Sequence, residues 1–177
     1  MGEAGKEAVE KTTKSDIIKT GGGSVTIHSI DSPIEGRNSS MGKPSAILHY
    51  DVPLTARQQK LLDHLPKFDS RITVPKKSVS MTDLSALTAK TGHEFAMFTK
   101  GDERLIVRGN RTMVRINTDL AEKLASEGYR WSGHTHPGTD GNCLIASEGD
   151  RVILRVFRQE SSVIYNSKGN FRVFGRE

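Results

Sequence analysis

Chemistry in this chain concentrates in Gly133-His134-Thr135-His136-Pro137 and in Ser147-Glu148-Gly149-Asp150. On a strand, side chains alternate with period two, so His134 and His136 point the same way. Two neutral imidazoles on one face suit a divalent metal, which takes nitrogen ligands at about 2.0–2.1 Å. Pro137 turns the chain out of the strand and leaves the pair at a rim. A bare His-x-His pair is more often incidental than functional, so the downstream carboxylates decide its meaning.

Ser147 and Asp150 have the spacing of a helix N-cap with a first-turn carboxylate, a purely structural use. The same spacing fixes a carboxylate at a helix start, where the intervening loop can fold it toward the histidines. Two histidines and one aspartate would leave a fourth zinc position open for water, the pattern of a catalytic site. Asp140, in a glycine-rich loop, is the rival ligand. Water on such a metal needs a base. Glu94 is the candidate: it opens the apolar run Phe95-Ala96-Met97-Phe98, where a carboxylate has no packing purpose. Its plain alternative is a surface residue at a strand start. His93 is read as facing away from Glu94 and incidental.

Glu94, then His134-Thr135-His136-Pro137, then Ser147-Glu148-Gly149-Asp150 resembles the motif of JAMM (JAB/MPN-type) zinc metalloproteases. The resemblance spans roughly residues 92–174; the interval from Pro137 to Ser147 is longer than is usual in that family. It implies a cytidine-deaminase-like architecture, with His134, His136 and Asp150 as zinc ligands and Glu94 as base. Ser147 would stabilise the oxyanion of the tetrahedral intermediate. It further implies cleavage of a peptide or isopeptide bond in a protein substrate, a ubiquitin-like conjugate being one such substrate. The stretch from Pro33 to Leu65 is similar to the lead-in of JAMM-like domains in bacterial phage-associated and polymorphic-toxin proteins. By that resemblance the chain is a module of, or encoded beside, a larger phage or effector protein.

The elements that must position these residues are readable after about Ala46. Residues 1–45 hold equal numbers of acidic and basic residues, Gly21-Gly22-Gly23-Ser24 and no sustained periodicity, so they read as a tail or linker. A short strand at Val25–Ile30 is the one element expected there. The net charge of +5 therefore falls on the rest of the chain. Thr55 and Gln58 predict a capped helix through Leu61, Leu62 and Leu65, stopped by Pro66. Arg71–Val74 reads as a strand. Ser80 opens a helix that closes near Gly92. Glu94–Thr99 and Arg104–Arg108 form a hairpin around Lys100-Gly101-Asp102-Glu103. Met113–Ile116 is expected as a strand, Thr118 as a helix cap, and Tyr129–His134 as the histidine strand, with Trp131 in the core beneath the site. Ser147 caps a helix with Val152, Ile153, Val156 and Phe157 on its apolar face. Ser161–Tyr165 and Asn170–Phe174 close the chain as a hairpin. The class is α+β or mixed α/β: a central mixed sheet with antiparallel hairpins, flanked by helices.

Other functions have less support. Arg151, Arg155 and Arg158 fall at helical spacing and form either a solvated face or a strip for an acidic partner or nucleic acid. The pI of about 9.4 favours the second reading, but one Trp and three Tyr offer no stacking platform, so nucleic acid is disfavoured. A metal-free binding or scaffold module is the other alternative. One cysteine, Cys143, excludes an internal disulfide framework and reads as a small buried or idle thiol. No apolar run reaches the ~18–20 residues of a membrane span. Without a signal-peptide pattern, the expected location is the cytoplasm, or a target cell reached by another route.

Overall fold

A computed structural model describes residues 26–27 and 53–177. The expected tail at 1–45 lies outside the described residues except for β1 (Thr26–Ile27), a two-residue strand within the stretch expected to be extended. It pairs antiparallel with β5 (Ile116–Asn117).

The remaining strands form one mixed sheet in the order β2-β4-β3-β6-β7-β8. These are β2 (Arg71–Pro75), β3 (Phe95–Lys100), β4 (Glu103–Arg108), β6 (Arg130–His136), β7 (Ser161–Asn166) and β8 (Phe171–Gly175). The helices are α1 (Ala56–Asp63), α2 (Met81–Thr91), α3 (Thr118–Ser126) and α4 (Glu148–Val156). Each opens on a side-chain cap: Thr55, Ser80, Asn117 and Ser147 accept from the third residue onward, and three of the four complete a reciprocal box. No helix among the described residues is long and apolar enough to cross a membrane.

Alternation on β3 divides the core. Phe95 and Met97 pack with Leu61, Leu65, Leu84 and Leu87 of the α1/α2 layer. Ala96 and Phe98 pack with Leu120, Leu124, Ile153 and Leu154 of the α3/α4 layer. Two tight hairpins make β3–β4 and β7–β8 antiparallel. The pair β6–β7 is parallel, which requires a long crossover, and α4 supplies it. The C-terminal end of β6 and the N-terminus of α4 are thus consecutive parts of one crossover, which is why strand histidines and a helix-cap aspartate can meet.

A bulge sharpens this arrangement. Between Met97 and Phe98 the β3–β6 register slips, so that Met97 opposes Gly133 and Phe98 opposes Trp131. Ser132 is the extra residue. Trp131 and His134, three apart, consequently share one side of the sheet. Gly133 has φ of +154°, and a β-carbon there would stand 2.7 Å from Val163 Cγ2. Only glycine fits this close approach of β6 to β7.

Three boundaries differ from expectation. The strand expected at Met113–Ile116 begins only at Ile116, because Asn110 Oδ1 accepts from the N–H groups of Thr112 and Met113 and bends that stretch into a turn. The cap of α3 is Asn117 rather than Thr118. The histidine strand runs Arg130–His136, so both histidines lie within it.

Candidate metal centre

His134, His136 and Asp150 come together. Their ligand atoms lie within 4.8 Å of one another and all three residues are buried. His134 Nε2 stands 2.9 Å from His136 Nε2 and 3.2 Å from Asp150 Oδ1. Tetrahedral ligands about 2 Å from zinc stand about 3.3 Å apart, close to both contacts.

Two of the three candidate ligands are oriented by a hydrogen bond from a second group. Asp150 Oδ2 accepts from the Ser147 N–H at 2.8 Å and from Ser147 Oγ at 2.9 Å, while Oδ1 faces His134. Cap and ligand are therefore not alternatives; each takes one oxygen. His136 Nδ1 lies 2.9 Å from the Cys143 carbonyl, to which it must donate. Burial, and then the proximity of His134, push His136 down to about 4, so the ring is neutral near pH 7. With hydrogen on Nδ1, its Nε2 carries a lone pair. Burial alone would raise Asp150, but His134 and His136 and the Ser147 N–H outweigh it and hold the carboxyl at about 2. Two acceptors, a neutral imidazole nitrogen and a carboxylate oxygen, thus converge on His134 Nε2. A cation satisfies such a donor set, and the residues present fit zinc.

Trp131 lies beneath, its ring stacked on His134 at 5.0 Å between centroids. Phe174 meets both rings edge-on. A small cavity, about 20 Å³, borders His134 and Asp150 and is otherwise lined by apolar side chains such as Phe98 and Val114 and by Trp131. His134 Nδ1 and Trp131 Nε1 are buried with no hydrogen-bond partner among the described residues.

Glu94 precedes β3 rather than starting it. Its carboxylate is 1% exposed and Oε1 lies 4.0 Å from His136 Nε2. Since Ala96 pairs with His134 on the antiparallel β3–β6 ladder, a residue two before Ala96 falls beside one two after His134. The structure thus brings Glu94 to the cluster from the residue just before β3.

The rival residues are otherwise engaged. Asp140 caps a 3-10 turn at Gly141–Leu144, its Oδ1 accepting from the N–H groups of Asn142 and Cys143. That turn fills the long interval before Ser147. Burial and Asp140 raise the Cys143 thiol to about 11, consistent with an idle thiol. His93 contacts Arg108 instead of the cluster. Arg158 is not on the helical strip: it follows the C-cap Phe157 with φ of +51°. Arg151 donates to the carbonyl of Gly175, and Arg155 to that of Arg176 and to Glu148, so this strip ties α4 to the chain end. The Cys143 carbonyl is the one site group that sequence reading misses, because a main-chain acceptor has no residue-type signal.

Comparison of the chain with protein-family models, with curated proteins and with solved structures finds no match.

Proposed function

We propose that the chain is a zinc-dependent metallohydrolase that cleaves a peptide or isopeptide bond in a protein tail. The observation that supports this most is the buried convergence of His134 Nε2, His136 Nε2 and Asp150 Oδ1, with a second carboxylate, Glu94, 4.0 Å from His136. A zinc ion held by these three residues would supply Lewis-acid chemistry, acidifying a water and polarising a carbonyl. Glu94 takes the proton of the attacking water as oxygen bonds to the scissile carbon, then returns it to the leaving amine as the C–N bond breaks. Its burial keeps it out of bulk water and close to the reacting atoms.

Ser147 has a double part in this reading. At rest its hydroxyl hydrogen belongs to Asp150 Oδ2, so it positions a ligand. Oxyanion stabilisation requires the hydroxyl to turn from Oδ2 toward the substrate. A ubiquitin-like conjugate as substrate, and membership of a larger phage or effector system, follow from the JAMM resemblance and belong to the proposal.

Glu94→Gln tests the step that separates an enzyme from a metal-holding protein. On isopeptide-linked and tail-peptide substrates cleaved by the zinc-loaded wild type, turnover should fall by about 10²–10⁴-fold while zinc content and melting temperature stay near wild type. Undiminished turnover places the base elsewhere; lost zinc makes Glu94 a ligand.

A further inference from the structure

Phe171 and Val173 stand 58% exposed, the large apolar side chains that the described residues leave open to water. They lie two apart on β8, so they share one face of the strand, and β8 is the last strand of the sheet. Their neighbours on β7 are Tyr165 and Val163, both packed against the α1/α2 core. The Tyr165 and Phe171 rings stack at 5.2 Å. An apolar strip thus continues from that core to the sheet edge and stops there in solvent.

The same two residues carry the open main-chain groups. Asn166 N–H donates to the Asn170 carbonyl, so in the antiparallel β7–β8 pair the ladder bonds recur where Ile164 meets Arg172 and where Ser162 meets Phe174. The N–H and C=O groups of Phe171 and Val173 therefore point away from β7. Further along, Arg151 donates to the Gly175 carbonyl and Arg155 to that of Arg176, which closes the edge at its C-terminal end. What remains is the stretch Phe171-Arg172-Val173, with no strand beside it among the described residues.

Arg172 decides what fits there. It is exposed, lies on the opposite face of β8 from Phe171, and has no ion-pair partner among the described residues. A second copy of the chain pairs badly. The antiparallel register that lays Phe171 beside the copy's Val173 sets Arg172 directly opposite the copy's Arg172, and like charges so placed repel. An acidic residue between two apolar ones satisfies all three positions in one register. We propose that β8 takes up, as an additional antiparallel strand, an extended segment of a protein partner with the pattern apolar-acidic-apolar. Its apolar residues cover Phe171 and Val173, and its carboxylate meets the Arg172 guanidinium. Main-chain hydrogen bonds to Phe171 and Val173 supply affinity, and Arg172 supplies selection. Nothing in this surface depends on the metal centre.

The test follows single amides of the full chain by hydrogen exchange in nuclear magnetic resonance. In the free chain Phe171 and Val173 should exchange fast, while Arg172, bonded to β7, stays protected. Acetyl-Thr-Val-Glu-Val-Thr-amide at millimolar concentration should slow Phe171 and Val173 by about tenfold or more. Lysine in place of the glutamate of the peptide should weaken binding about fivefold, and the Arg172→Glu chain should reverse that preference. Methylating the two valine nitrogens of the peptide should abolish binding, because the ladder bonds to β8 are then lost. Phe171 and Val173 amides already protected in the dilute free chain would show the edge covered by the chain itself. Protection that grows with protein concentration would show a second copy. Either result overturns the proposal, as would equal binding of the glutamate and lysine peptides or a glutamate peptide that leaves the two amides unprotected.

Discussion

Ser147 and Asp150 share a capping box in which only Oδ2 of the aspartate takes part, leaving Oδ1 3.2 Å from His134 Nε2. In the proposed centre the helix start is thus also the mount of a ligand. The helix N-terminus also favours negative charge there, so the carboxylate that His134, His136 and the Ser147 N–H hold ionised stands aimed at His134.

Ser147→Ala should therefore register twice. Loss of the cap lowers stability by about 0.5–2 kcal/mol in urea unfolding. Loss of the two-point grip on Oδ2 weakens zinc affinity by about 10–100-fold in a chelator competition. A variant that loses stability but binds zinc as tightly as wild type would mean that Asp150 needs no orienting.

The cap residues at Thr55, Ser80 and Ser147 are readable because a side-chain oxygen three residues before a matching polar group has few other uses. The histidine strand is legible as well, although its expected end at His134 falls two residues short of the observed one at His136. What local pattern cannot convey is register. The bulge at Ser132 that stacks Trp131 on His134 depends on how β3 lies against β6. The parallel pairing of β6 with β7 depends on the crossover, and the Cys143 carbonyl on a loop that Asp140 folds. Met113 reads as extended beside Val114 and Ile116, and the Asn110 side chain overrides that preference.

Gly138 carries φ of +130° and its missing β-carbon would overlap Cys143 Sγ. Gly138→Ala should cost about 1–3 kcal/mol and loosen zinc, because displacing Cys143 moves the carbonyl that orients His136. Cys143→Ala in the same chain relieves the overlap and should recover part of both losses. Cys143→Ala alone should keep zinc, since the contact to His136 is main-chain. Melting curves and zinc competition on the three variants check this.

Asp83 links α1 to α2 through a bidentate contact with Arg57, both distances 2.7 Å. Burial would raise this carboxyl, but the Arg57, Gln58 and Ser80 hydrogen bonds outweigh it and hold it below its ordinary 3.8. A lowered folded value means that the stabilisation is complete above 3.8 and is lost as pH falls through the folded value. Wild type should thus exceed Asp83→Asn in urea stability at pH 7, and the gap should narrow steadily below pH 3.8. A gap that is constant with pH would show that the charge of Asp83 contributes nothing.

Zinc content is the most direct test of the metal centre. The untagged chain, expressed in zinc-supplemented medium and desalted, should carry about one zinc per chain by mass spectrometry of the metal. His134→Ala and His136→Ala should fall to about a tenth of that while retaining the far-ultraviolet circular dichroism of the wild type. A wild-type chain that stays metal-free after incubation with excess zinc, or variants that hold as much zinc as it does, would contradict the account.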